Sequence, residues 1–139
     1  MARMSVETLP TLEATGPVII VDDDPAVLRS LKFALEIEGL DVRIYGDAQS
    51  LLFDDDLPAR GCLLIDYAMA GMDGFELVER LRRRNVRLPA ILMTGLLSRE
   101  VRERARRAGF CKVLEKPLHD GALLDGIRSA LTRSQERPQ

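Results

Sequence analysis

Five short segments carrying Val, Ile or Leu, three of them unbroken apolar runs, recur along this chain, and a stretch with helical spacing follows each one. No other feature constrains the fold as tightly. An unbroken apolar run of four to six residues is too short for a helix and reads as a strand covered on both faces. Strands that alternate with helices must connect by crossovers. Right-handed crossovers give a parallel sheet with helices on both sides.

The pattern assigns each element. VIIV at 18–21 is the first strand. Asp24 and Pro25 are the N-cap and first residue of a helix that turns Val27, Leu28, Leu31 and Leu35 inward and ends at Gly39. DVRIY at 41–45 alternates with period two, as an edge strand does. A short helix over 47–53 and a surface loop, DDDLPARG, follow. CLLID at 62–66 is the third strand, and the helix over 75–84 buries Leu77, Val78 and Leu81. PAILMT at 89–94 is the fourth strand, and the helix over 98–108 is closed by Gly109. KVLEK at 112–116 is the fifth strand, stopped by Pro117. The fifth helix runs from 119 to about 133, with Leu123, Leu124, Ile127, Ala130 and Leu131 inward. Residues 1–16 are expected to form a loose arm, 17–133 one domain, and 134–139 a polar tail. At this size the expected architecture is α/β: a flavodoxin-like, doubly wound, five-stranded parallel sheet of order 2-1-3-4-5 with five helices.

A length of 139 residues suits one domain with a true core. The net charge of −2 creates no overall field for nucleic acid or an acidic membrane surface. No apolar run approaches a membrane span or a signal peptide, so a cytoplasmic location is expected. Neither Cys62 nor Cys111 sits in a C-x-x-C pair or beside the one histidine, His119. They read as small residues of buried strands, and zinc is not expected. His119 opens the last helix and is expected to be exposed and inert.

Chemistry concentrates at the carboxyl ends of the strands, where doubly wound sheets bind ligands. Asp22 and Asp23 end the first strand, Asp66 the third, Thr94 the fourth and Lys116 the fifth. The first and third strands are neighbours about 4.8 Å apart. Two carboxylates about 5 Å apart at an effective dielectric of 20 repel by about 3 kcal/mol. Either some of the three are protonated or a divalent cation compensates. An all-oxygen, partly hydrated site suits magnesium or manganese. The Lys116 stem covers much of the two-strand gap to Asp66, and Thr94 offers a hydroxyl between them. Together they describe a phosphoryl-binding site with Asp66 as nucleophile. Each residue alone has a plainer reading: Asp24 as a helix cap, Asp22 and Asp23 as solvated acids, Thr94 and Lys116 as ordinary strand-end residues.

VDDDP after the first strand, LLID at the end of the third, GMDGFEL, LMTG and EKP, in that order, resemble the receiver domain of two-component response regulators. The resemblance runs from about residue 17 to 131 and is nearest to receivers that usually precede a helix-turn-helix domain. It implies that Asp66 accepts a phosphoryl group from a histidine kinase or phosphotransfer protein. It implies that Asp23 and Asp66 bind Mg2+ (or Mn2+) directly, Asp22 through water, and that the Ala68 carbonyl completes the set. Thr94 and Lys116 would contact the phosphoryl group, and the fourth helix, fifth strand and fifth helix would form the switching surface and a candidate homodimer face. Because the chain stops soon after the fifth helix, a single-domain regulator is expected; a piece cut from a longer regulator would read the same.

Three positions depart from that family's usual pattern: Ala70 replaces a loop proline, Val113 a switch aromatic, and Leu118 a phenylalanine. Tyr67 is either a gate beside Asp66 that partly replaces the missing ring or a plain loop aromatic. Two other function classes remain. A phosphatase with an aspartyl intermediate commonly carries a second acid two residues after the nucleophile, where this chain has Ala68. Slow self-dephosphorylation and no broader enzyme activity are therefore expected. An interaction module that is never phosphorylated is the other. The arginines of RLRRRNVR and REVRERARR lack an aromatic platform, so direct nucleic-acid binding is not expected. They read as solvated helix faces, with docking of a partner or a second copy by Arg99, Arg102, Arg104, Arg106 and Arg107 as the alternative.

Overall fold

The computed structural model describes residues 15–136, so residues 1–14 of the expected arm and 137–139 of the expected tail lie outside the described residues. The elements are β1 (Val18–Val21), α1 (Pro25–Ile37), β2 (Val42–Tyr45), α2 (Ala48–Leu52), β3 (Cys62–Asp66), α3 (Gly74–Arg83), β4 (Ala90–Thr94), α4 (Arg99–Ala108), β5 (Lys112–Glu115) and α5 (Asp120–Glu136). The five strands form one parallel sheet of order β2-β1-β3-β4-β5. The doubly wound architecture read from the sequence is the one observed.

Every residue of β1, β3 and β4 is buried, as the unbroken apolar runs require. Successive residues face opposite sides, so the core has two layers. Ile19, Val21, Leu63, Ile65 and Leu92 pack against α2, α3 and α4 through residues such as Leu51, Phe75, Leu77, Leu81 and Ala105. Val18, Ile20, Leu64, Ile91 and Met93 pack against α1 and α5 through Leu28, Leu35, Leu123, Ile127 and Leu131. Each fully buried Val, Ile or Leu contributes about 1.5–3 kcal/mol.

Polar residues start and stop the helices. Asp24, Asp47, Asp73 and Ser98 accept first-turn N–H groups of α1, α2, α3 and α4. Gly109 ends α4 with φ of 96°, a left-handed conformation that glycine adopts without a Cβ clash.

The last helix differs from its expected end. It runs to Glu136 rather than to about 133, so residues 134–136 continue the helix. Ser134 is buried, and its Oγ accepts a hydrogen bond from the Gly61 N–H at 3.0 Å. That bond fastens the end of α5 to the start of β3. Smaller differences are that β5 stops at Glu115, leaving Lys116 just beyond it, and that α3 begins at Gly74. Among the described residues no helix is long and apolar enough to cross a membrane.

Candidate functional site

Register places the charged residues level with one another. Val21 of β1 pairs with Ile65 of β3, so Asp22 and Asp66 leave the sheet side by side. Asp66 pairs with Met93 and Thr94 with Glu115, which brings Thr94 and Lys116 to the same rim. Asp22, Asp23 and Asp66 each offer a carboxylate oxygen within 4.8 Å of the others. The crowding of three acids expected from the strand ends is what the fold produces.

Lys116 bridges two of them. Its Nζ lies 2.9 Å from Asp22 Oδ2 and 2.9 Å from Asp66 Oδ1. Asp22 is 1% exposed and uses its other oxygen to accept the Asp24 N–H at 2.9 Å. Asp23 is exposed, and its Oδ2 accepts the Ala70 N–H at 3.2 Å. Asp66 is 5% exposed, and no hydrogen bond reaches its Oδ2 from the described residues. Burial raises the Asp66 pKa, and the neighbouring Asp22 and Asp23 charges push the same way against the pull of Lys116. For Lys116, burial alone would lower the pKa, but the two carboxylates outweigh it and the ammonium is held above its ordinary value.

One ammonium offsets one of three negative charges. The donor set is all hard oxygen, one side of it is open at Asp23, and the Ala68 carbonyl, in the exposed loop after Asp66, is unpaired among the described residues. This chemistry fits a small divalent cation such as magnesium or manganese.

Thr94 is on the rim, and among the described residues it makes no hydrogen bond to Asp66. It is buried, and its Oγ1 accepts the Leu96 N–H at 3.1 Å within its own loop. Tyr67 is half-buried. It packs edge-on against Phe75, with centroids 5.3 Å apart. His119 is exposed, as expected, and both cysteines are free, with Cys62 buried and Cys111 partly so.

Several contributors escaped the sequence reading. The Asp22–Lys116 pair joins residues 94 apart in the chain. Gly74 lets α3 approach the site: a Cβ there would lie 2.8 Å from the Asp66 carbonyl oxygen. Phe110 puts a buried ring against Phe75 at 5.9 Å, on the same side of the sheet as Val113. The Asp73–Gly74 pair just before an apolar helical stretch was the available signal for the second of these.

A doubly wound parallel sheet with an acidic pocket at its switch point, bridged by a lysine just beyond the last strand, defines a receiver module. The family model for the response regulator receiver domain matches residues 18–128, and the chain belongs to that family. It is similar to the transcriptional regulatory protein FixJ of Azorhizobium caulinodans, 38% identical over 122 residues that cover 87% of this chain and 57% of that protein. Full-length FixJ from B. japonicum superposes with a TM-score of 0.79 at 33% identity, over 87% of this chain and 60% of that one. The receiver domain of the Francisella response regulator 1452 gives a TM-score of 0.78 at 27% identity, over 86% and 99% of the two chains. The chain thus spans little more than half the length of the FixJ proteins it matches.

Proposed function

We propose that this domain is a phosphorylation switch with Asp66 as phosphoacceptor. The single observation that carries this reading is the state of Asp66: nearly buried, with one oxygen paired to Lys116 and the other, beside Asp23, unpaired among the described residues. In the transfer, that oxygen attacks the phosphorus of a kinase or phosphotransfer-protein phosphohistidine in the cytoplasm. The new bond is P–O, the bond that breaks is P–N, and the electron pair stays on the imidazole nitrogen.

Asp23 and Asp66, with Asp22 through water and the Ala68 carbonyl, would hold Mg2+ or Mn2+, which supplies positive charge against the phosphoryl oxygens. Lys116 meets the same charge from the β5 side. The Thr94 hydroxyl, which donates to the Leu96 carbonyl at 3.4 Å, exchanges that acceptor for a phosphoryl oxygen, and that exchange moves the loop leading into α4. The face made by α4, β5 and α5 then changes its affinity for a partner or for a second copy of the chain. Ala68 and Leu96, at the entrance, offer no polar side chain to position a water. Hydrolysis of the acyl phosphate is therefore slow, and the domain acts as a switch rather than a turnover catalyst.

Incubation with acetyl phosphate and Mg2+, followed by intact-mass measurement, tests this. The expected result is a gain of one phosphoryl group that is absent in Asp66→Asn and persists for minutes or longer. No gain in the wild type, or an equal gain in the variant, overturns the assignment.

A further inference from the structure

The basic side chains of this protein are segregated. Of 20 lysines and arginines, 10 lie between Arg80 and Arg107, with only Glu100 and Glu103 among them, although the whole chain carries −2. The fold brings many of them to facing sides of α3 and α4, along a cleft of about 960 Å³. Arg80 and Arg83 stand on the α3 wall, Arg104 and Arg107 on the α4 wall, and Phe75 forms part of the lining. This cleft shares no residue with the acidic pocket around Asp66.

Arg104 is the pre-set group. Among the described residues it has no carboxylate partner, and its guanidinium lies 4.3 Å over the Phe75 ring. Tyr67 and Phe110 hold that ring edge-on from two sides. A guanidinium already stacked on a fixed ring loses little freedom when its edge N–H groups take a carboxylate. Arg80 and Arg83 are paired to Glu76 and Glu79 one turn away, at 2.8 and 3.6 Å, but both pairs are exposed. Exposed pairs of this kind contribute little, so a partner's carboxylate can share or replace them.

The same wall selects the kind of anion. Asp73, Glu76 and Glu79 interleave with the arginines. A nucleic acid, with a charge at every phosphate, would meet those acids, and the one ring in the cleft is already covered by Arg104, which leaves no stacking platform. A protein segment can set its carboxylates against the arginines and neutral residues against the glutamates.

We propose that the α3–α4 cleft docks an acidic segment of a partner protein, anchored at its centre by Arg104 with Arg80 and Arg107 on either side. The proposal stands whether or not Asp66 is phosphorylated.

The test uses the full chain with a fluorescein-labelled peptide of alternating glutamate and serine, and a labelled oligothymidylate of similar length for comparison. Fluorescence anisotropy is expected to show saturable peptide binding that weakens with salt. Backbone amide shifts in NMR are expected to fall within residues 74–84 and 99–109. Arg104→Gln is expected to weaken binding about tenfold, the loss typical of an interface anchor. Arg128→Gln, on α5, is expected to leave it unchanged. Should Arg104→Gln lower the melting temperature, Arg107→Gln, on the same wall but off the ring, gives the same reading. Absence of saturable binding, shifts outside the cleft, or undiminished affinity in these variants overturns the proposal. Tighter binding of oligothymidylate at the same amides overturns it in favour of a nucleic-acid surface.

Discussion

The ammonium of Lys116 lies 2.9 Å from the carboxylate of Asp22, 94 residues earlier in the chain. The same ammonium holds Asp66. One cation from the loop after β5 therefore keeps together two buried acids, one just after β1 and one at the end of β3, and a third acid stands beside them. The pocket is built under electrostatic load, and its members respond unequally to being changed.

Lys116→Met keeps the stem and removes the charge. Asp22, 1% exposed, is then left buried without its cation. Breaking a buried pair from one side costs about 3–5 kcal/mol, and the partial opening of this site to water reduces that to about 2–4 kcal/mol. Urea unfolding near neutral pH measures it. A loss below about 1 kcal/mol would mean that Asp22 rehydrates freely.

Asp66→Asn acts in the opposite direction. It removes one of three crowded negative charges and leaves the Lys116–Asp22 pair in place. Because folding raises the Asp66 pKa above its ordinary 3.8, the folded state binds this proton more tightly than the unfolded chain. That contribution to stability is full below the unfolded value and is lost as pH rises through the folded one. At neutral pH the charged Asp66 is therefore a liability, and the variant is expected to be more stable by about 1 kcal/mol. The advantage should shrink as the pH is lowered toward the ordinary carboxyl value of 3.8 in parallel urea titrations. An advantage that grows on acidification contradicts the sign.

The strand-end acids could be placed from the sequence because a parallel sheet leaves no freedom in where its strands finish. Once VIIV and CLLID were neighbours, Asp22 and Asp66 had to meet. Lys116 was placed only to within the reach of its stem, since four rotatable bonds do not reveal which acid they will find. The ring cluster of Tyr67, Phe75 and Phe110 draws on three separate segments, so no local period announces it. The end of α5 was misread for a different reason. Leu123, Ile127, Ala130 and Leu131 form an inward stripe, and Ser134 is its next member. A serine inside SQERPQ looks like part of a polar tail unless the partner N–H of Gly61 is known.

Gly74→Ala tests how closely α3 must approach the end of β3. An alanine Cβ would lie 2.8 Å from the Asp66 carbonyl oxygen and 3.1 Å from both Ile65 Cγ2 and Leu92 Cδ1. The first neighbour is backbone and cannot turn aside. Helix propensity favours alanine by about 1 kcal/mol, but the clash is expected to dominate, for a net loss of about 1–3 kcal/mol. Gly121→Ala, where nothing lies within 4 Å, is the control and should be neutral or slightly stabilising. Thermal unfolding of the pair separates steric from propensity effects. Equal melting temperatures would show that α3 yields at its first residue.

Ser134→Ala examines the last turn of α5. The Gly61 N–H is buried and bonded to Ser134 Oγ at 3.0 Å. Alanine keeps the helix and the packing volume but leaves that N–H without an acceptor. A buried donor deprived of its partner costs about 1–3 kcal/mol, more than the net worth of the bond itself, because water does not replace what was lost. Thr132→Ala, in the same turn, is the matched control: its hydroxyl is exposed and bonds only the Arg128 carbonyl of its own helix. Hydrogen exchange at the Gly61 amide gives a second, local readout. Protection there should fall in Ser134→Ala and stay unchanged in Thr132→Ala. If both variants unfold at the wild-type urea midpoint and Gly61 remains protected, the end of α5 does not fasten β3, and the domain could stop at residue 133 as its sequence pattern suggested.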